Sequence, residues 1–207
     1  KIIVIINMKN KLKIMLKDII RCIEGPWFVA DGALLGIIRE GDLLEFDDDI
    51  DIYILPGTKI NWDKLPNKYN FYKDYMCMKI YDGEDKITSE NEWLRYISYK
   101  RTCYEYYGYN RAEMCRDVAK YYKYEKIDKQ YGSCWIDIFS LVYDDRHNLY
   151  RIPQHWNGTE FYFTPSECEG TYDNTLGFKI IIPKNPKQVL ERIYGSNWIV
   201  EDRAHQY

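Results

Sequence analysis

Between Asp47 and Ile54 the chain reads D-D-D-I-D-I-Y-I, and no other stretch limits its fold as sharply. Side chains along a strand alternate between its two faces. A strand that buries Ile50, Ile52 and Ile54 therefore presents Asp49 and Asp51 together on its opposite face, joined by Asp47 if the chain is extended that far. Carboxylates at i and i+2 on one face can converge on a hard divalent cation. Held that close, like charges repel unless something positive lies between them. A solvated turn is the common fate of an Asp run, but a turn has no need of the isoleucine alternation. An EF-hand loop starting at Asp47 fails, because Ile52 stands where that loop needs Gly and Thr58 where it needs Glu.

What precedes the carboxylates is as specific. Trp27-Phe28-Val29-Ala30 reads as a buried strand ending at Asp31-Gly32, and an apolar helix follows up to Arg39. A glycine at such a strand-to-helix turn lets a ligand approach the backbone. The free N–H groups of the helix then make an anion site. Arg39 can pair with a phosphate oxygen or with a surface carboxylate. A second signal is W-I-D-I-F-S-L at 135–141, where Asp137 alternates with Ile136 and Ile138. A carboxylate in a buried strand is costly unless paired or bound to a metal; the alternative is an Asp satisfied by backbone donors.

The stretch D-G-A-L-L-G-I-I-R-E-G-D-L-L-E-F-D-D-D-I-D-I resembles the signature of the LicD/fukutin family, in the nucleotidyltransferase-fold superfamily. That signature is roughly a Gly, L-L-G, an Arg, then W-D-D-D-I-D; here Phe46 replaces the usual Trp and Glu45 the usual Pro. The block around Asp137 resembles the family's V-D-I-F-P-L, with Ser140 for Pro. L-E-R-I-Y-G-S-N-W near the C-terminus resembles its L-E-R-x-Y-G-x-x-W closing motif. The three blocks stand in the family's order, and coverage is weakest between residues 57 and 133. The resemblance implies an α/β (α+β) nucleotidyltransferase-like fold, a mixed sheet with flanking helices. It implies Gly32 and Ala33 as a phosphate cradle with Arg39 beside them. It also implies Asp49 and Asp51 as ligands of one or two Mg²⁺ or Mn²⁺, with Asp137 as the third carboxylate, holding a second ion or acting as base. Asp47 is then an outer ligand or positions a water. The implied reaction moves a phospho-alcohol, phosphocholine or a polyol phosphate, from a CDP-alcohol donor to a carbohydrate hydroxyl, releasing CMP.

The remaining residues fit one domain over 1–207, with an N-terminal helix at 8–24, a catalytic core at 27–56 and 133–142, and a C-terminal helix at 186–195. The length is enough for a substantial core. The opening K-I-I-V-I-I-N reads as an edge strand and is too short to span a membrane; a start on Lys rather than Met suits a piece of a longer polypeptide. Two strand-like runs, at 70–72 and 76–81, lead into a Tyr- and Lys-rich middle with a helical patch at 111–124. Strands at 161–164 and 178–182 flank the loop 167–177. The formal net charge of −3 gives no case for bulk nucleic-acid binding. The 21 tyrosines are read as codon bias, with some lining a groove. The six cysteines form no C-x-x-C pair, which disfavours zinc. In a secretory compartment Cys103 and Cys115 would be a candidate disulfide and Asn157-Gly158-Thr159 a glycosylation sequon; a cytoplasmic location is equally open. No G-x-S-x-G elbow and no Walker loop is present.

Three other readings stand beside the first. A nucleotidyltransferase acting on a nucleoside triphosphate would release pyrophosphate. A catalytically inactive glycan-binding domain of the same fold would have little use for clustered buried charge. A D-x-D glycosyltransferase does not account for the L-L-G block. The expected architecture is a short mixed sheet with the carboxylates on its open face and helices packed behind.

Overall fold

The computed structural model describes residues 2–45, 47–73, 77–82, 134–152 and 162–200. Its centre is a five-stranded sheet in the order β2-β3-β7-β6-β5, built from Trp27–Ala30 (β2), Asp49–Ile54 (β3), Tyr69–Lys73 (β5), Cys77–Asp82 (β6) and Trp135–Ser140 (β7). β3 and β7 run parallel, whereas β2–β3, β5–β6 and β6–β7 are antiparallel. The sheet is therefore mixed. The parallel ladder continues past both strand ends, with Trp135 N–H donating to the Asp48 carbonyl and Leu141 N–H to that of Ile54.

One face of this sheet is aliphatic. Ile50, Ile52, Ile80, Ile136 and Ile138 are at most 2% exposed, and each such burial is worth roughly 1.5–3 kcal/mol. The N-terminal helix Ile2–Ile19 (α1) lies over β3 and β7 on this side, burying Leu12, Met15, Leu16 and Ile19. It is tied to the sheet by the Tyr69 hydroxyl, which donates to Asp18 Oδ2 at 2.9 Å. The helix differs from the expectation at both ends. Residues 2–7, read as an edge strand, continue the helix, and the other end gives way to a 3-10 turn at Ile20–Cys22. The chain then pairs Ile23–Glu24 (β1) with Lys59–Ile60 (β4). No helix of the described residues is long and apolar enough to cross a membrane.

The opposite face carries the carboxylates, and it is not open as expected. The helix Asp31–Arg39 (α2) leaves β2 directly and packs back on β2 and β3. Phe163 closes the far end of this face, meeting Phe28 and Tyr53 edge-on at 4.8 and 5.3 Å between ring centroids. Phe163 lies in the smaller antiparallel sheet of Val142–Asp144 (β8), Leu149–Arg151 (β9) and Tyr162–Phe163 (β10). The turn between β8 and β9 is the polar run 145–148, with Asn148 at φ 55°. The span 167–177, read as a loop, contains the end of a short helix, Pro165–Cys168 (α3), and the strand Thr171–Asp173 (β11), which pairs with Ile180–Ile182 (β12). The last helix, Pro186–Tyr194 (α4), starts on Pro and ends at Gly195 with φ 83°, the chemistry expected of a helix start and stop. It packs against α2. Phe46, the helical patch 111–124, Cys103, Cys115 and the sequon at Asn157 lie outside the described residues. Cys22, Cys77, Cys134 and Cys168 are buried.

Candidate metal centre

The parallel register of β3 and β7 aligns Asp51 with Asp137 and Asp49 with Trp135. The alternation that sends Ile50 and Ile52 into the aliphatic core brings Asp49, Asp51 and Asp137 out on one side. Their carboxylate oxygens lie within 4.8 Å of one another. Asp47, Asp48 and Asp49 form a second group by the same measure, so Asp49 belongs to both. Asp47 and Asp48 precede β3 and reach the site from the loop, not from the strand face.

The site is strongly anionic for its degree of burial. Burial, followed by the charges of Asp31, Asp49, Asp137 and Asp47, pushes the Asp51 carboxyl well above the ordinary range. Burial, with Asp49 and Asp48 adding to it, raises Asp47 to about 8. Such groups hold protons until a cation replaces them. The donors are all carboxylate oxygens, a hard set that suits Mg²⁺ or Mn²⁺ over Zn²⁺. Asp49, Asp51 and Asp137, with Asp47 beside them, thus fit a divalent ion by chemistry and by spacing.

Two protein groups brace the cluster. Trp135 Nε1 donates to Asp49 Oδ2 at 3.2 Å. Lys79, opposite Asp137 across the β6–β7 pair, donates its ammonium to Asp137 Oδ2. Burial is the largest influence on Lys79 and works to lower its pKa, but the charge and hydrogen bond of Asp137, with Cys77 and Asp49, together outweigh it and raise the pKa.

The residues expected to handle phosphate are placed differently from one another. Gly32 is in the first turn of α2, and a side chain there would come within 2.7 Å of Asp47 Oδ2. The space its missing Cβ leaves is thus taken by a carboxylate. Ala33 is buried. Arg39, at the far end of α2, donates to Glu40 Oε1 at 2.7 Å and to the Trp198 carbonyl at 3.5 Å. Neither of these partners belongs to the carboxylate cluster.

Several residues of the site went unnoticed in the sequence. Lys79 is an ionisable group inside the alternating run Cys77–Tyr81, the same anomaly that marked Asp137. Tyr53 follows Asp49 and Asp51 on their own face, and its hydroxyl donates to Asp31 Oδ2 at 2.6 Å. Tyr194, at the end of α4, is 42% exposed. Exposure of the residue as a whole limits the part burial plays, but burial and then the charges of Asp31, Asp51, Asp47 and Asp49 all act to raise its hydroxyl pKa. No local pattern joins it to them.

A family model, LicD/FKTN/FKRP, nucleotidyltransferase domain, matches residues 25–168, which is more than half of the chain. The match takes in α2, β3, Lys79 and β7 and stops before α4. No curated protein matches the chain.

Proposed function

The chain belongs to the LicD/FKTN/FKRP nucleotidyltransferase-domain family, and from that premise we propose that it is a metal-dependent phosphotransferase. It moves a phospho-alcohol from a CDP-activated donor to a carbohydrate hydroxyl. The observation that carries this reading is the Asp51–Asp137 register pair, which gathers three carboxylates from two strands into one group. Family membership supports nucleotidyltransferase-related chemistry in general, and the choice of a CDP-alcohol rests on the sequence resemblance.

Asp49, Asp51 and Asp137 would hold the ion, with Asp47 as an outer group. What Mg²⁺ or Mn²⁺ supplies when bound is a Lewis acid for the donor's phosphate oxygens. The acceptor oxygen forms a bond to the distal phosphorus of the diphosphate. The bond from that phosphorus to the bridging oxygen breaks, and CMP leaves with that oxygen. Asp137, hydrogen-bonded to the Lys79 ammonium, would take the acceptor's proton where it is not itself bound to the ion. Trp135 fixes the Asp49 carboxylate, and β3 and β7 hold the set in place, so little reorganisation is needed on binding.

The test measures product release with Mg²⁺ from CDP-choline, CDP-glycerol, CDP-ribitol and CTP, for the wild type beside Asp49→Asn. CMP from a CDP-alcohol, lost in the variant, is the expected result. Pyrophosphate from CTP would replace this reading with a nucleotidyltransferase. Turnover that survives both Asp49→Asn and Asp51→Asn would remove the metal assignment.

A further inference from the structure

Lys79, Asp137, Asp51 and Ala30 stand in one row across the central sheet. Lys79 on β6 is aligned with Asp137 on β7, Asp137 with Asp51 on β3, and Asp51 with Ala30 on β2. Side chains directly opposite each other in adjacent strands share a face, so the row runs from a cation through two carboxylates to a small apolar side chain. Asp49, two residues before Asp51, is aligned with Trp135 on that same face. The Lys79 ammonium donates to Asp137 Oδ2 and stands 5.3 Å from the centre of the Trp135 ring. Trp135 Nε1 donates in turn to Asp49 Oδ2. The ammonium is thus held from two sides at the edge of the carboxylate group, with its side chain only 15% exposed.

In a two-metal centre the carboxylates serve two cations about 3.5–4 Å apart. Here one of the carboxylates already serves a cation that belongs to the protein. Asp137 contributes an oxygen to the group with Asp49 and Asp51, and its Oδ2 is bonded to Lys79. A second divalent ion on Asp137 would have to lie against the ammonium or expel it, and the β6–β7 pairing fixes the backbone from which that ammonium reaches. Like charges held that close disfavour each other. The loop carboxylates Asp47 and Asp48 offer no independent place for another ion. Their group depends on the same Asp49, whose Oδ2 is committed to Trp135.

We propose that Lys79 stands in for a second metal ion: its ammonium occupies the side of Asp137 where another cation would bind, and the carboxylates take a single divalent ion. The inference rests on the metal-dependent reading of the proposed function and on no particular donor. An ammonium donates hydrogen bonds and accepts none, so Lys79 holds Asp137 in place and offsets its charge without adding a second Lewis acid. Lys79 is in this sense a positioning residue, permanently in place where an ion would come and go.

The test counts Mn²⁺ bound per chain, by equilibrium dialysis and by the free-ion EPR signal. Wild type is compared with Lys79→Gln, which keeps an N–H donor toward Asp137 but removes the charge, and with Lys79→Arg, which keeps the charge. The expected count is one ion in the wild type and in Lys79→Arg, and two in Lys79→Gln. In Lys79→Gln the bound-ion EPR spectrum should also change from that of an isolated Mn²⁺ to that of an exchange-coupled pair. A merely structural Lys79 would alter stability and leave the count at one throughout, so one ion in Lys79→Gln overturns the proposal, as do two in Lys79→Arg. Two ions in the wild type overturn it without any variant having to fold, and leave the phosphotransferase reading standing with a two-ion centre. A coupled pair that forms in the wild type once CDP is added has the same force, since the ammonium would then have yielded its place. No bound Mn²⁺ in the wild type, with CDP or without, defeats the metal-dependent reading itself and this proposal with it.

Discussion

Lys79 and Asp137 face each other across the β6–β7 pair, the ammonium of one bonded to the carboxylate of the other. The two side chains are 15% and 7% exposed. This places one positive charge inside a cluster of negative ones. The same carboxylate is aligned with Asp51 on its other side, so Asp137 is held between a fixed cation and the place where a divalent ion fits.

Removing that cation exposes the arrangement. Lys79→Met takes the ammonium from a buried carboxylate, a change that typically costs about 3–5 kcal/mol. The expected result is a urea midpoint well below that of the wild type. A divalent ion replaces part of the missing charge, so 10 mM Mg²⁺ should raise the melting temperature more in the variant than in the wild type. An equal Mg²⁺ response in the two proteins would place the ion away from Asp137.

The pH dependence of the metal-free protein has a definite sign. Asp31 is raised to about 6, by burial against the pull of the Tyr53 hydrogen bond, and Asp47 to about 8. Both bind a proton more tightly when folded than when unfolded. The stability they contribute is therefore complete below about pH 4 and is lost as pH rises through 6 and then 8. Urea midpoints without metal should fall between pH 5 and pH 9, whereas saturating Mg²⁺ should flatten or reverse the trend because the ion displaces those protons. A flat metal-free profile would mean that neither carboxyl is held protonated in the folded state.

Much of this site was legible because its residues break a pattern they belong to. Asp49, Asp51 and Asp137 stand inside strands where isoleucines flank them on the other face, and a period of two needs only a few residues to declare itself. Lys79 offered the same clue in a strand noted only for its β character. The pairing of β3 with β7 was not readable locally, since 80 residues separate Ile54 from Trp135 and only the tertiary register aligns Asp51 with Asp137. Two-residue strands such as β1 and β4 are too short to carry any alternation. The start of α1 was lost because a run of isoleucines has no polar face to set its period.

Arg192 belongs to the L-E-R block near the C-terminus, and its role is mechanical. Both guanidinium Nη atoms donate to the buried Glu167 at 3.0 Å, and Nη2 also reaches the Tyr162 carbonyl at 2.9 Å. Glu167 in turn closes the capping box of α3 through Thr164. Arg192→Met should therefore detach α4 from α3 and β10, at about 3–5 kcal/mol by urea unfolding. Arg192→Lys should recover only part of this, because an ammonium cannot match both carboxylate oxygens. Mn²⁺ affinity of the folded fraction should be unchanged, and a shift there would give α4 a direct part in the site.

Gly32 and Gly36 are both in α2, and the same substitution should act on them through different physics. At Gly36 a new Cβ would lie 2.6 Å from the Asp42 carbonyl oxygen and 2.7 Å from the Leu44 nitrogen. Those are backbone atoms of a loop crossing the helix and cannot turn aside. Gly36→Ala should thus lose about 1–3 kcal/mol of stability by overpacking. At Gly32 the new Cβ meets only Asp47 Oδ2, also at 2.7 Å, the free end of a side chain that can swing away. Gly32→Ala should leave the urea midpoint close to that of the wild type, since alanine also favours the helix. Its effect should appear in Mn²⁺ binding, weakened several-fold as the Asp47 carboxylate is pushed from its place beside Asp49. If Gly32→Ala binds Mn²⁺ as the wild type does, Asp47 is only a neighbour of the ion, and the glycine is needed there for packing alone.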